Sequence, residues 1–321
     1  NQRGAQRAMT TRCRVFGLAL MALFMLTGIA RAAALDLHRL ALGDGMLSDT
    51  PRRGYVFACE QQFMPGRGGA AENVPWINGR TFDEAAKPHV EGRILWPTAR
   101  FHIATRGMWR IISGNGLPVG TPTGRFPIAP GDPAYQYDRN PNRVRAHPVH
   151  WRLPRNPKIA ARPSCVPMGP IGIAINGVMI FNALDAGGRD AVAHEVQDLC
   201  NGHPQRQGIY HYHGPSPCLS AERGRDRIIG YALDGFPITS MYDANGHEIT
   251  DADLDACHGR VGRIREEGRW ARMYHYVLTW DYPYTIGCFR GTPIRLRRGP
   301  GGPRGPGLGP PPFGRPGGKP R

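Results

Sequence analysis

The sequence predicts a mainly β protein: one disulfide-stapled, β-rich domain built from pseudo-duplicated hairpin, short-helix and strand units. Three observations carry that prediction. Apolar runs are short and closed by turn residues, with 43 Gly and 31 Pro in 321 residues and no long amphipathic helix. Three Asn-Gly or Asp-Gly pairs lie between such runs, the strongest short-range hairpin signal. The cysteines number seven, of which six follow an apolar leader, and an even count in an exported chain predicts disulfides.

The leader comes first. Arg12 and Arg14 precede the apolar run Val15 to Ala30, and Ala30-Arg31-Ala32 supplies small residues for cleavage. Residues 1–34 are therefore expected to be a signal peptide, with Met9 a plausible natural start. The run is shorter than the ~20 residues that span a bilayer, so no stable membrane span is expected after cleavage. Cys13 would leave with the leader. Residues 35–106 carry few pattern signals and are expected to pack on the core that follows.

Next come the hairpins. Asn115-Gly116 lies in RIISGNGLPV, Asn176-Gly177 in GIAINGVMIF and Asp234-Gly235 in GYALDGFPIT. Positive φ is expected at both residues of each pair. Pro118 and Pro237 are expected to place the second strand of their hairpins at a sheet edge, since proline cannot donate to a ladder.

The second and third hairpins belong to a longer match. GIAINGVMI (172–180) aligns with GYALDGFPI (230–238), DLCNGH (198–203) with DACHGR (255–260), and YHYH (210–213) with YHYV (274–277). Each series ends at a cysteine, Cys218 and Cys288. Landmarks repeated in one order predict two units, about 172–218 and 230–288. In the first, RDAVAHEVQDLC reads as a helix, with Val192, Val196 and Leu199 on one face, Asp190 capping its start and Gly202 its end. In the second, Thr250 and Asp253 form a capping box, with Gly259 beyond the last turn. Repeat logic selects Cys200–Cys218 and Cys257–Cys288 and leaves Cys59–Cys165, although six cysteines alone permit fifteen pairings.

Residues 299–321 form a Pro/Gly/Arg tail expected to be disordered. The formal charge is +16, but five Arg lie in the leader and seven Arg or Lys in residues 291–321. The stretch between is only mildly basic, which argues against a nucleic-acid surface. The tail instead offers contact with an anionic surface or glycan.

The segment GIYHYHGPSPC carries the chemistry. On a strand, alternate side chains share a face, so His211 and His213 point one way and their tyrosines the other. Two imidazoles at one point make half of a metal site, and His203 or His275 would supply a third donor. With the thiols in disulfides, an imidazole site suits copper before zinc. Val277 stands where the first unit has His213, which predicts one site rather than two. Asp198 and Asp255 are the candidates to accept the second ring N–H of a ligand histidine. No nucleophile elbow, phosphate loop or His-Glu-x-x-His pattern is present, and no catalytic residue is assigned. The alternative function is a metal-free binding or structural module, presenting Trp270, Trp280, Tyr282 and Tyr284 to a glycan or protein.

Taken together, DLCNGH, GIYHYHGPSPC, IIGYALDGFPI and YHYVLTWDYPYTIGCFRG resemble the YHYH-domain proteins, an exported family named for that tetrapeptide. The resemblance spans about Arg110 to Gly291, within a domain placed at 107–291. It implies a secreted or periplasmic protein and marks His203, His211, His213 and Asp234 as motif positions. It assigns them no chemistry.

Overall fold

A computed structural model describes residues 35–63, 70–219 and 227–296. The whole expected signal peptide and the whole expected tail lie outside these residues. The strands are β1 (Leu40–Ala41), β2 (Leu47–Ser48), β3 (Val56–Phe57), β4 (Ile77–Asn78), β5 (Thr81–Phe82), β6 (Phe101–Arg106), β7 (Trp109–Gly114) and β8 (Val149–Pro154). They continue as β9 (Pro170–Ala174), β10 (Met179–Phe181), β11 (Gly202–Pro204), β12 (Tyr210–Tyr212), β13 (Ile228–Ala232), β14 (Pro237–Thr239), β15 (Gly259–Glu266) and β16 (Arg269–Val277). One α-helical turn, α1, spans Ala191–His194.

The protein is mainly β, as expected. Its largest sheet has eight strands in the order β11-β12-β10-β9-β13-β14-β16-β15. Read outward from the β9–β13 pair, both directions show a hairpin partner, a parallel neighbour and an antiparallel edge strand. β10, β12 and β14 are buried throughout, and β9 and β13 at all but their first residue, so the middle of the sheet is covered on both faces. β6, β7 and β8 form a separate antiparallel sheet. Arg110 of β7 is fully buried, stacks 3.9 Å over the Tyr231 ring of β13 and pairs with Glu266 at the end of β15. That contact ties the two sheets together.

Two of the three expected hairpins form, β9–β10 and β13–β14. Only their glycines take positive φ, 87° at Gly177 and 89° at Gly235. Asn176 and Asp234 instead hold the turn through their side chains, accepting from Val178 N at 3.2 Å and Phe236 N at 3.2 Å. Asn115-Gly116 makes no hairpin. β7 is already flanked by β6 and β8, and the chain leaves it at Asn115 for a loop, with His147 N donating to Asn115 O at 2.8 Å.

Two further expectations are corrected. β14 is an interior strand between β13 and β16, not an edge. Pro237 fits because it is the first residue of the strand and the pairing with β16 begins one residue later, at Ile238↔Tyr276. The helix expected over RDAVAHEVQDLC is one turn. Asp190 does cap it, accepting from Val192 N at 3.1 Å, but its carbonyls find tertiary partners at once. Lys87 donates to Val192 O, Trp76 Nε1 to Ala193 O at 2.8 Å, and Gln197 Nε2 to Ala191 O at 3.1 Å. With those acceptors taken, Glu195 turns extended, and Gly202 opens β11 rather than capping a helix. In the second half, Asp251–Asp253 is one 3-10 turn, and the Asp253 carboxylate accepts from Thr250 N at 3.0 Å.

Three disulfides staple the fold: Cys59–Cys165, Cys200–Cys218 and Cys257–Cys288. Each of the last two links the turn before an edge strand to the segment beyond its Tyr-His-Tyr neighbour.

Candidate metal centre

β11 and β12 pair antiparallel with His203 opposite His211. His211 lies on β12, and His213 follows one residue past its end, on the same side. Both glycine and tyrosine fix this corner. A Cβ on Gly202 would lie 2.3 Å from the Tyr210 ring, so only glycine lets that ring lie across β11. Tyr210 Oη then donates to the Asp198 carboxylate at 2.8 Å, and Gly124 N, Cys200 N and Gly202 N converge on the same group at 2.7, 2.9 and 3.2 Å.

On the opposite side from these tyrosines, three imidazoles meet. One donor atom from each of His203, His211 and His213 lies within 4.8 Å of the others, and all three residues are buried. His211 Nε2 and His213 Nε2 are 2.9 Å apart. Glu195, delivered by the end of α1, sets Oε2 at 3.1 Å from His203 Nε2 and 3.2 Å from His213 Nε2. Neither approach has the direction of a hydrogen bond, and both Glu195 Oε2 and His203 Nε2 are buried without one. Phe181 closes one side, stacked on His211 with ring centroids 3.9 Å apart.

The ring orientations assign the tautomers. His211 Nδ1 faces Ile209 O at 3.0 Å and His213 Nδ1 faces Asn182 O at 2.5 Å. A carbonyl can only accept, so each Nδ1 carries its proton, and each neutral ring leaves a lone pair on Nε2. Two such lone pairs at 2.9 Å repel unless a proton or a metal ion lies between them.

Charge is distributed unevenly over the cluster. Burial, together with the neighbouring rings of His203 and His213, holds His211 well below the ordinary imidazole range. Burial also disfavours charge on His203, but the Glu195 carboxylate outweighs it and His203 is raised. Burial would raise Glu195, yet His203 and His213 draw it well below the ordinary carboxylate range.

The arrangement could hold a metal ion through three nitrogens and one carboxylate oxygen. Of the sequence-predicted residues, His203, His211 and His213 come together. His275 does not: it lies in β16, opposite Arg260, in the other half of the sheet. Asp198 and Asp255 do not take ring N–H groups, which go to carbonyls. They accept instead from Tyr210 and Tyr274, whose Oη atoms lie 2.8 and 3.0 Å away. Glu195 was missed, because its approach depends on a helix that ends after one turn. The aromatic module loses half of its face: Tyr282 and Tyr284 are core, while Trp280 is half-buried and Trp270 is 52% exposed.

These features define a disulfide-stapled β domain with a buried histidine cluster at one end of its main sheet. Residues 150–252 match the family described as YHYH protein, so the chain carries a YHYH domain. The match covers the cluster and stops before β15 and β16. No curated protein and no solved structure matches the chain. No helix among the described residues is long and apolar enough to cross a membrane.

Proposed function

We propose that the domain binds one transition-metal ion, copper before zinc, through His203, His211 and His213, with Glu195 as the fourth donor. The observation that carries this reading is the 2.9 Å approach of two Nε2 atoms whose Nδ1 atoms both face carbonyls. Ligands ~2.0–2.1 Å from a common ion stand roughly 3.3 Å apart in a tetrahedron, close to the 2.9, 3.1 and 3.2 Å contacts here. The widest separation, up to 4.8 Å, calls for that pair of donors to draw together by about 1.5 Å on binding. An N3O donor set accepts copper(II) or zinc(II), and the ordinary order of divalent affinities favours copper. Three disulfides fit an oxidising compartment, and the reading places the protein outside the cytoplasm.

The test is elemental analysis of protein made in an oxidising compartment without a histidine tag. One equivalent of copper or zinc is expected, falling to none in His211→Ala or His213→Ala with the disulfides intact. Full metal content in both variants would end the proposal.

A further inference from the structure

The second half of the sheet holds a cavity of about 350 Å³. Its walls include Arg53, Arg260 and Arg290, with Ile159, Leu254 and Val261 as apolar surface. We propose that this cavity binds a small organic carboxylate with an apolar body.

The corresponding corner of the first half is filled by the chain itself. There Gly124 N donates to Asp198 Oδ2 at 2.7 Å, Val90 N donates to Gln197 O at 3.0 Å, and only about 10 Å³ is left. Beside Asp255 that space stays open, and arginines line it. Nε of Arg260 and Nε of Arg290 are buried with no hydrogen-bond partner. Buried donors are normally satisfied, and a planar guanidinium matches the two oxygens of a carboxylate through parallel N–H donors.

Two carboxylates also line the cavity, but each has an oxygen engaged by the fold. Asp255 Oδ1 accepts from Cys257 N, Gly259 N and Tyr274 Oη at 2.9, 3.1 and 3.0 Å. Asp253 Oδ2 accepts from Thr250 N and Thr250 Oγ1 at 3.0 and 3.2 Å. The Arg290 Nε to Asp255 Oδ2 distance is 3.6 Å, an ion pair without a hydrogen bond, so the Arg290 guanidinium is not locked to Asp255 and can turn toward a ligand. Three cations against two acids leave the lining positive. The apolar walls distinguish this site from a simple phosphate contact, and its volume suits a ligand at the small end of ordinary pockets.

The test follows the arginine Nε–H signals by NMR while benzoate is added to the full chain. Saturable shifts of Arg260 and Arg290 are expected, half-complete at about 1–10 mM, as befits so small a ligand. Arg290→Gln and, separately, the exposed Arg53→Gln should each weaken the response roughly tenfold. Arg265→Gln, an exposed arginine of β15 outside the cavity lining, should leave it unchanged. Intact Cys59–Cys165, Cys200–Cys218 and Cys257–Cys288 bonds in non-reducing peptide mapping report that each variant has folded, whatever the histidine cluster binds. No saturable shift by about 50 mM benzoate would overturn the proposal. So would an equal response to neutral benzamide, or binding of inorganic phosphate as tight as that of benzoate.

Discussion

The two Tyr-His-Tyr strands occupy matching places in the sheet and share a framework, yet differ at the atoms that meet a metal. Tyr210 donates to Asp198 and Tyr274 to Asp255. Tyr212 Oη accepts from Asn176 Nδ2 at 3.0 Å, while Tyr276 Oη donates to Asp234 Oδ2 at 2.6 Å, so each second tyrosine is anchored by its hairpin turn. His211 Nδ1 and His275 Nδ1 each face the carbonyl two residues back, at 3.0 and 3.2 Å. The lining differs. His203 and His213 have Arg260 and Val277 at the matching places, and His275, without ring neighbours, is lowered to about 4 chiefly by burial. The lesson is that Asp, Tyr, Gly and Cys build the corner in both halves, while the donor set is present in one.

The largest break in that comparison should come from the ligands. His211→Ala should lower copper or zinc affinity by at least roughly a hundredfold, seen by chelator competition, whereas His275→Ala should leave it unchanged. Loss of metal from both variants would mean that the halves cooperate in one site. The staples should come next. Replacing both Cys200 and Cys218 with Ser should cost on the order of 3 kcal/mol in urea unfolding, and the Cys257–Cys288 pair slightly more. The sequence separations of 18 and 31 set that order, in a chain-entropy account that is itself disputed.

The anchors should follow. Asp198→Asn sets an amide NH2 among four donors and should cost about 2–3 kcal/mol, while Asp255→Asn, whose side chain is 39% exposed, should cost about 1 kcal/mol. Equal losses would show that burial does not separate the two corners. The effect of pH stands apart, because it acts on binding and not on stability. Protons compete with metal for Nε2, and Glu195 raises His203 against the pull of burial. Affinity should therefore begin to fall above pH 6.5 on acidification, by about tenfold per unit for one competing proton. A flat profile between pH 8 and 6 would remove His203 from the donor set.

Much of this architecture was legible in the residues. Asn176-Gly177 and Asp234-Gly235 signal their hairpins because a turn needs a local conformation that few residue pairs supply. The alternation in Tyr210 to His213 puts both rings on one side because strand geometry has a period of two. What was illegible depends on distant chain. Val192, Val196 and Leu199 have helical spacing, but Lys87, Trp76 and Gln197 claim the carbonyls and end the helix. Glu195 reaches the histidines only because of that ending. The neighbours of Pro237 and of Asn115-Gly116 likewise follow from sheet order, which no local pattern encodes.

The central pair β9–β13 has a consequence for dividing the molecule. Gly172 and Gly230 lie in this pair, and a Cβ at Gly172 would sit 2.8 Å from Tyr231 O and one at Gly230 2.6 Å from Ile173 O, so neither position has room for a side chain. A fragment ending near residue 219 would keep the histidine cluster but expose the whole edge of β9. An open, apolar strand edge is a template for another copy of itself. The second half therefore covers, through β13, the edge at which isolated histidine-bearing halves could pair with one another.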